Sequence, residues 1–513
     1  MVKRQSLIKG TFILVSANVL VKIIGAIFKI PLTNLIGASG ISDFSIAYNL
    51  YAVMFVISTA GLPVAISKMV AESNSNGKNC DVFRIIKAAI CIFCTVGLVF
   101  TLLLLSFADE ICEIVGSETA YLSIIAVAPS VFLTTIVAIL RGYYQGHHDM
   151  SKTAISQLIE AIFKLLIGYF FAKYLISNGY GVNIASAGAI LGVTIGTLIS
   201  AIYLCICIVF TKKRVKNNRC TSYSEIINKL FAIAIPITIG ASVISLTGVV
   251  DMLTILKRLQ YIGVNSQNAS ELFGAYNMSL TLYNLPQTVI TAISISAIPV
   301  IAESQKSTIR VEKIVNTALF MTVTIAMPCS VGFVLLAKPL LDFLYYKRPD
   351  DVLMATPILV ILGLAVVFVS VVTITNASLQ AVSKPMLVVK SMIVGVVVKF
   401  IANYFLISVP MINISGAPLG TVLCFLTISL INLHKMRKIM HFNINFSKIF
   451  VKPVISSVVM GVVIKILEEN FNMQNKISVI VLIFIGAVTY FGVLILIKGI
   501  KKEDIGLLTS RGL

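Results

Sequence analysis

Charge is scarce in this chain: Asp, Glu, Lys and Arg make up 12% of its 513 residues, against 58% hydrophobic residues and a mean hydropathy of +0.98. That balance excludes a soluble globular protein, in which about a quarter of residues are charged. The sequence also has no Gly-x-x-x-x-Gly-Lys-[Ser/Thr] phosphate loop, nucleophile elbow or zinc-binding helix motif. No ATP-driven engine, catalytic residue, metal or cofactor is therefore expected. Of the nine cysteines, Cys91, Cys94, Cys205 and Cys207 lie in apolar segments without His or acidic neighbours. They read as small buried hydrophobes. The adjacent His147 and His148 lack a third ligand and read as loop residues.

What the chain has in abundance is apolar stretches of about 20 residues or more, enough to cross a ~30 Å hydrocarbon core as helix. Fourteen recur, from 10–36, 43–71 and 82–107 to 415–439, 449–467 and 477–498. The expected fold is an all-α polytopic membrane protein with about 14 transmembrane helices. The first stretch contains Lys22 and Lys29 and no small-residue cleavage site, so it reads as a retained helix. A net charge of +20 points to nucleic acid in a soluble protein, but here the basic residues fall in alternate connections. Lys3 and Arg4, Lys78 and Arg84, Lys212 to Arg214, Lys435 to Lys438, and Lys501 with Lys502 alternate with acidic or mixed connections around Asp109, Asp342 and Glu468. By the positive-inside rule the basic set is cytoplasmic. Both termini are expected inside, and no nucleic-acid partner is expected.

Two stretches 235 residues apart align without a gap: Gln145 with Gln380, Ser156 with Ser391, Lys164 with Lys399, and Tyr169-Phe170 with Tyr404-Phe405. Ala47-Tyr48-Asn49 recurs at 275–277, and Gly188, Leu191 and Gly192 match Gly416, Leu419 and Gly420 at an offset of 228. Several blocks in the same order indicate an internal repeat. Six spans separate each copy from its partner, so the halves run parallel, with a substrate path expected between them. The expected division is an N-terminal lobe 1–219, a C-terminal lobe 220–440 and an addition at 441–513 holding the last two helices. Gly188, Gly192 and Gly196 form a small-xxx-small run that favours close helix contact.

A cation at bilayer depth costs roughly 2.5–3.5 kcal/mol on insertion scales, so it faces protein or a wet cavity. Asn18, Lys22, Gly25 and Lys29 share one helical face. Thr153, Gln157, Glu160 and Lys164 share another, with Glu160 placed for an i,i+4 ion pair with Lys164. In the second copy, Lys399 and Asn403 recur but Gly395 replaces the acid. Lys399 is therefore expected to lack a local partner. Unpaired lysines in a wet cavity attract anions, above all phosphate or pyrophosphate.

Leu7-Ile-Lys-Gly-Thr-Phe-Ile-Leu14, Lys22-Ile-Ile-Gly25, Gly37-Ala-Ser-Gly40, Gly61-Leu-Pro-Val-Ala-Ile-Ser-Lys68 and Arg141-Gly-Tyr-Tyr-Gln-Gly146 carry a family likeness. The chain resembles the stage V sporulation protein B and polysaccharide-export branch of the multidrug/oligosaccharidyl-lipid/polysaccharide flippase superfamily, close to the MurJ-type lipid II flippases of peptidoglycan synthesis. The resemblance implies two lobes around a central cavity, alternating access, and a groove beside the last two helices for a polyprenyl tail. It implies a bacterial plasma-membrane flippase for a polyprenyl-pyrophosphate-linked saccharide, working beside cell-wall or polysaccharide synthesis enzymes. Lys22 matches a basic position in the family's first helix and Asp43 an acidic one at the start of its second.

The expected substrate-binding residues are thus Asn18, Lys22, Lys29, Asp43, Glu160, Lys164, Lys399 and Asn403, with Arg141 as a cytoplasmic gate. Gram-negative lipid II flippases place arginines in helices 2 and 8, but here 44–67 has no charged residue and 273–302 no basic one. Lys164 and Lys399 are expected to supply that charge. The alternative is a cation-coupled multidrug exporter of the same superfamily, which favours acidic and aromatic cavity residues.

Overall fold

The computed structural model describes residues 7–59, 61–76, 79–209, 221–304, 307–382, 384–440, 445–469 and 476–499. Lys3, Arg4, Lys78, Lys212, Lys213, Arg214, Lys501 and Lys502, on which the expected orientation partly rests, lie outside them, as does the expected boundary at 219–220. The described residues contain no strand. Helix is what long apolar runs must form in lipid, where each backbone N–H and C=O needs a partner within its own segment. The chain divides into two compact units, Met1–Lys257 and Arg258–Leu513.

The N-terminal unit contains α1 (Leu7–Thr59), α2 (Leu62–Ser75), α3 (Asn79–Ser106), α4 (Ala108–Val115), α5 (Tyr121–Gly146), α6 (Met150–Ser177), α7 (Val182–Val209) and most of α8 (Tyr223–Tyr261). Helix α1 is two arms joined at Gly37, whose φ of 70° and ψ of −174° suit only a residue without Cβ. Three residues on, Gly40 lets α7 come close: a Cβ there would lie 2.8 Å from Val182, and Ser186 Oγ donates to Gly40 O at 2.9 Å.

Helix α8 opens the second sequence repeat, yet it packs with the first. Asp81 accepts from Thr221 N at 2.8 Å and from Thr221 Oγ1 at 2.7 Å, Arg84 donates to Thr221 O at 2.6 Å, and Lys229 meets Glu72 at 2.6 Å. Ile226 and Leu230 then pack into an apolar cluster with Leu62, Ile66, Val82 and Ile139. These contacts join most of α8 to the N-terminal unit.

The C-terminal unit holds α9 (Ser266–Glu303), α10 (Thr308–Leu335), α11 (Ala337–Leu344), α12 (Pro349–Ala381), α13 (Pro385–Leu406), α14 (Gly416–Met440), α15 (Lys452–Glu468) and α16 (Lys476–Leu496). Asn265 caps α9 by accepting from Asn268 N at 2.7 Å. Pro349 opens α12, with Asp350 and Asp351 in its first turn where the helix dipole favours negative charge. The last two helices pack on the end of α10 through Leu336, Met460, Ile464, Tyr490 and Leu494.

The repeat is visible in the packing of each unit. In the N-terminal unit Gly192 rests on the α6 backbone, where an added Cβ would lie 2.6 Å from Gly168 Cα. In the C-terminal unit Gly420 makes room on α14 for the side-chain amide of Asn403. Gly168 and Asn403 are counterparts at the offset of 235, and Gly192 and Gly420 at 228. The small-residue runs thus do what their spacing predicts.

Among the described residues the apolar stretches are helical, but the first two share α1 and α2, and 312–338 runs from α10 into α11. Twelve candidate membrane spans occur among the described residues; the first, Ser16–Ser75, is 60 residues long, about 90 Å of straight helix and enough for more than one crossing. Fourteen is thus an approximate count. Exposed Leu102, Phe170, Phe484 and Ile495 suit a lipid surround. The cysteines need correction: Cys91 and Cys205 are exposed rather than buried, and Cys80 is disulfide-bonded. In lipid an outward-facing thiol costs little, so hydrophobicity alone does not predict burial.

Candidate substrate site

Within the N-terminal unit, both arms of α1 meet α5, α6 and α7 around two linked groups of polar side chains. The first is an ion pair. Arg141 Nη2 on α5 lies 2.7 Å from Glu160 Oε2 on α6, while Arg141 Nε donates to Ser156 Oγ at 2.9 Å and Nη2 to Ser200 Oγ at 3.4 Å. Tyr51, buried on the second arm of α1, bonds to Thr197 and lies within electrostatic reach of Arg141 and Glu160. This arrangement corrects the expected Glu160–Lys164 pair. A planar guanidinium supported by two serines satisfies the carboxylate better than a flexible ammonium one turn along the same helix.

The second group is formed by the released lysine. Lys164 Nζ stands 4.3 Å from the Tyr48 ring centroid and 5.8 Å from that of Phe28. Lys29, from the first arm of α1, is near enough for its charge to repel that of Lys164. The rings continue along the second arm, with Phe44 and Tyr48 stacked at 5.9 Å and Tyr48 and Tyr51 tilted at 5.8 Å. Lys164 beside two aromatic faces and Lys29 nearby, with the adjacent carboxylate already held by arginine, form a locally positive surface. Cation–π contact contributes about 0.5–2 kcal/mol at Lys164 and does not cancel its charge.

The other expected site residues are distributed as follows. Lys22 and Asn18 are exposed on the first arm of α1, with Lys22 two turns, about 10 Å, from Lys29. Asp43 is buried, its Oδ1 accepting from Thr119 at 2.7 Å and Ser117 at 3.4 Å. It ties α1 to the turn before α5. Lys399 and Asn403 lie on α13 in the other unit, 4% and 0% exposed. Lys399 is thus buried and has an interaction partner, which corrects its reading as an unpaired cation in a wet cavity. Its neighbours one turn either way on α13, Gly395 and Asn403, both meet α14, at Ile428 and Gly420. Arg141 is engaged inside its unit by Glu160, Ser156 and Ser200. Phe28, Tyr48 and Tyr51 were not among the expected site residues; Tyr48 stood in a recurring triplet but carried no signal of its role.

The pattern of the family described as "Polysaccharide biosynthesis protein" matches residues 7–305. Lipid II flippase MurJ of Bacillus subtilis (strain 168) is 26% identical, over 95% of this chain and 94% of its own. Stage V sporulation protein B of the same organism is 24% identical, over 98% and 97%. Among solved structures, "Lipid II flippase MurJ, inward closed conformation" superposes with a TM-score of 0.74 at 18% identity, covering 94% of this chain and 98% of that one. An inward-facing multidrug resistance MATE family transporter of the MOP superfamily gives 0.63 at 15% identity, over 82% and 98%. The fold is that of MurJ and the MATE transporters. With more than half of its length matched, the chain belongs to the polysaccharide biosynthesis protein family.

Proposed function

We propose that this multi-pass membrane protein is a flippase that carries a polyprenyl-pyrophosphate-linked saccharide from the inner to the outer leaflet of a bacterial plasma membrane by alternating access. The observation that carries the reading is the partition of charge in the N-terminal unit. Arg141 occupies Glu160, so Lys164 and Lys29 face a common region without a carboxylate within 4 Å among the described residues. That surface attracts a pyrophosphate and repels a cationic drug. Lys22, exposed two turns away, extends the positive track. The near-full-length similarity to a lipid II flippase and to stage V sporulation protein B supports the same reading.

In this scheme the repeat halves are the rocking lobes, and Arg141 with Glu160 braces the inner end of one lobe. Lys399 and Asn403 serve the other lobe as positioning residues. The termini are cytoplasmic. The apolar cleft beside α15 and α16 receives the polyprenyl chain. A cation-coupled exporter needs a carboxylate open to the cavity, whereas Glu160 and Asp43 are both engaged. The deciding experiment is depletion of the protein in its own host, followed by identification of the lipid that accumulates in the inner leaflet. Accumulation of a polyprenyl-linked saccharide is expected; no change in lipid-linked intermediates, together with increased drug sensitivity, overturns the flippase reading.

A further inference from the structure

Two neighbouring pockets on the same helices of the C-terminal unit differ in character. The first, an apolar cleft of about 320 Å³ between α10, α15 and α16, is lined by groups such as Pro328, Phe333, Ile464 and Phe491. One turn further along the same helices, Ile464 gives way to Glu468 on α15, and Ile483 to Val479 and Lys476 on α16. There a pocket of about 550 Å³ opens, walled on its other side by α11 and the start of α12. That volume lies in the range of about 300–1,000 Å³ typical of small-molecule sites.

The polar pocket is built from an aromatic face ringed by donors and acceptors. Tyr346 is 56% exposed, and Lys476 Nζ lies 3.9 Å from its ring centroid. Lys338 pairs with Asp342 at 2.7 Å, and Glu468 has no hydrogen-bond partner among the described residues. Tyr345 is fully buried and donates to Met278 O at 3.4 Å, which fixes the wall behind. Two lysines against two carboxylates leave this lining without net charge. A phosphate or pyrophosphate therefore gains little here, in contrast to the Lys29 and Lys164 surface. A sugar ring fits: its C–H face stacks on Tyr346, its hydroxyls donate to Glu468 and Asp342, and they accept from Lys338 and Lys476.

We propose that this pocket binds the saccharide of an amphiphile whose hydrocarbon chain lies in the adjoining apolar cleft, an occupant whose identity as a lipid-linked saccharide rests on the flippase reading above. The site is an outer station for the headgroup, separate from the lysine surface that receives the pyrophosphate.

The chain has no tryptophan. Tyr346→Trp therefore gives a single fluorescent reporter that preserves the aromatic face, with Phe343→Trp as a second reporter should the first fail to fold. The full-length reporter in lipid nanodiscs is titrated with N,N′-diacetylchitobiose, an uncharged disaccharide (chitobiose below), and separately with sodium pyrophosphate. The expected result is a saturable change with chitobiose, unaltered by about 0.5 M NaCl and weakened about fivefold by Glu468→Gln. Pyrophosphate should produce no change. A salt-sensitive response to pyrophosphate, or no saturable response to chitobiose from a monodisperse reporter, overturns the proposal. Absence of saccharide binding in a chain that still flips its lipid removes this pocket alone; saccharide binding in a chain whose depletion leaves every lipid-linked intermediate unchanged removes the flippase reading and leaves the pocket standing.

Discussion

Glu160 is held by Arg141 at 2.7 Å and not by Lys164, its neighbour one helical turn away. The side chains of Arg141 and Glu160 are only 13% and 23% exposed, so neither charge is left to bulk water. The consequence reaches beyond the pair itself. Because α5 supplies the countercharge, the lysine on α6 turns to the Tyr48 ring on α1, close to Lys29. One acid that would have neutralised the anion surface is withdrawn from it.

Removing one partner of that pair should strand the other. Arg141→Gln is expected to lower stability by about 3 kcal/mol, because a half-buried carboxylate loses its countercharge. Arg141→Gln combined with Glu160→Gln should recover much of the loss. Thermal unfolding of detergent-solubilised protein, followed by size-exclusion chromatography, measures both. Equal instability of the single and double variants would show that the pair has no coupling.

Substitutions at the lysines should separate function from folding. Lys164→Gln and Lys29→Gln are each expected to cut lipid flipping at least about tenfold, the loss of one charge-assisted contact of about 1.5–3 kcal/mol, with abundance in the membrane unchanged. Lys164→Arg should retain most activity, since it keeps the charge and the stacking on Tyr48. Complementation of a depleted strain, with immunoblots for abundance, reads the outcome. Full complementation by both Gln variants would eliminate the lysine surface as the substrate site.

Three glycines make contrasting predictions. Gly192→Ala drives a Cβ to 2.6 Å from the Gly168 backbone and should cost about 1–3 kcal/mol through overpacking. Gly37→Ala forces a Cβ into a positive-φ conformation and should cost a similar amount. A Cβ added at Gly25 would meet nothing within 4 Å, so Gly25→Ala should be neutral or stabilising by about 0.5–1 kcal/mol. Melting temperatures of the three purified variants rank these costs directly.

Orientation can be tested at described positions. Alkaline phosphatase fused after Lys347 is expected to be active, and the same enzyme fused after Lys384 inactive, because Lys347 lies in the mixed connection around Asp342 and Lys384 lies one span further along, on the opposite side by the same alternation. The reverse pattern would invert the topology and with it the direction assigned to transport.

Much of the architecture was legible in the linear chain. Apolar runs of membrane length specify helices, because lipid offers their backbone no other partner. The offset copies around Gly188–Gly192 and Gly416–Gly420 announced the close packing of α7 on α6 and of α14 on α13, since a glycine at regular spacing has no side chain to keep a neighbour away. The presence of cations at bilayer depth was equally plain from Lys22, Lys29, Lys164 and Lys399.

Their partners were not. Helical spacing ranks only neighbours on the same helix, and so it offered Glu160 to Lys164; a guanidinium arriving from α5 has no signature at that spacing. Likewise, Lys399 looked unpaired because Gly395 replaces the acid on its own helix, yet it is buried in the fold. Hydrophobicity and local spacing, which can be read along the chain, were enough to specify the helices, their repeat and the positive charge of the interior. Which of those charges cancel and which remain was settled by the fold, because it depends on through-space distances between helices that the chain order does not encode.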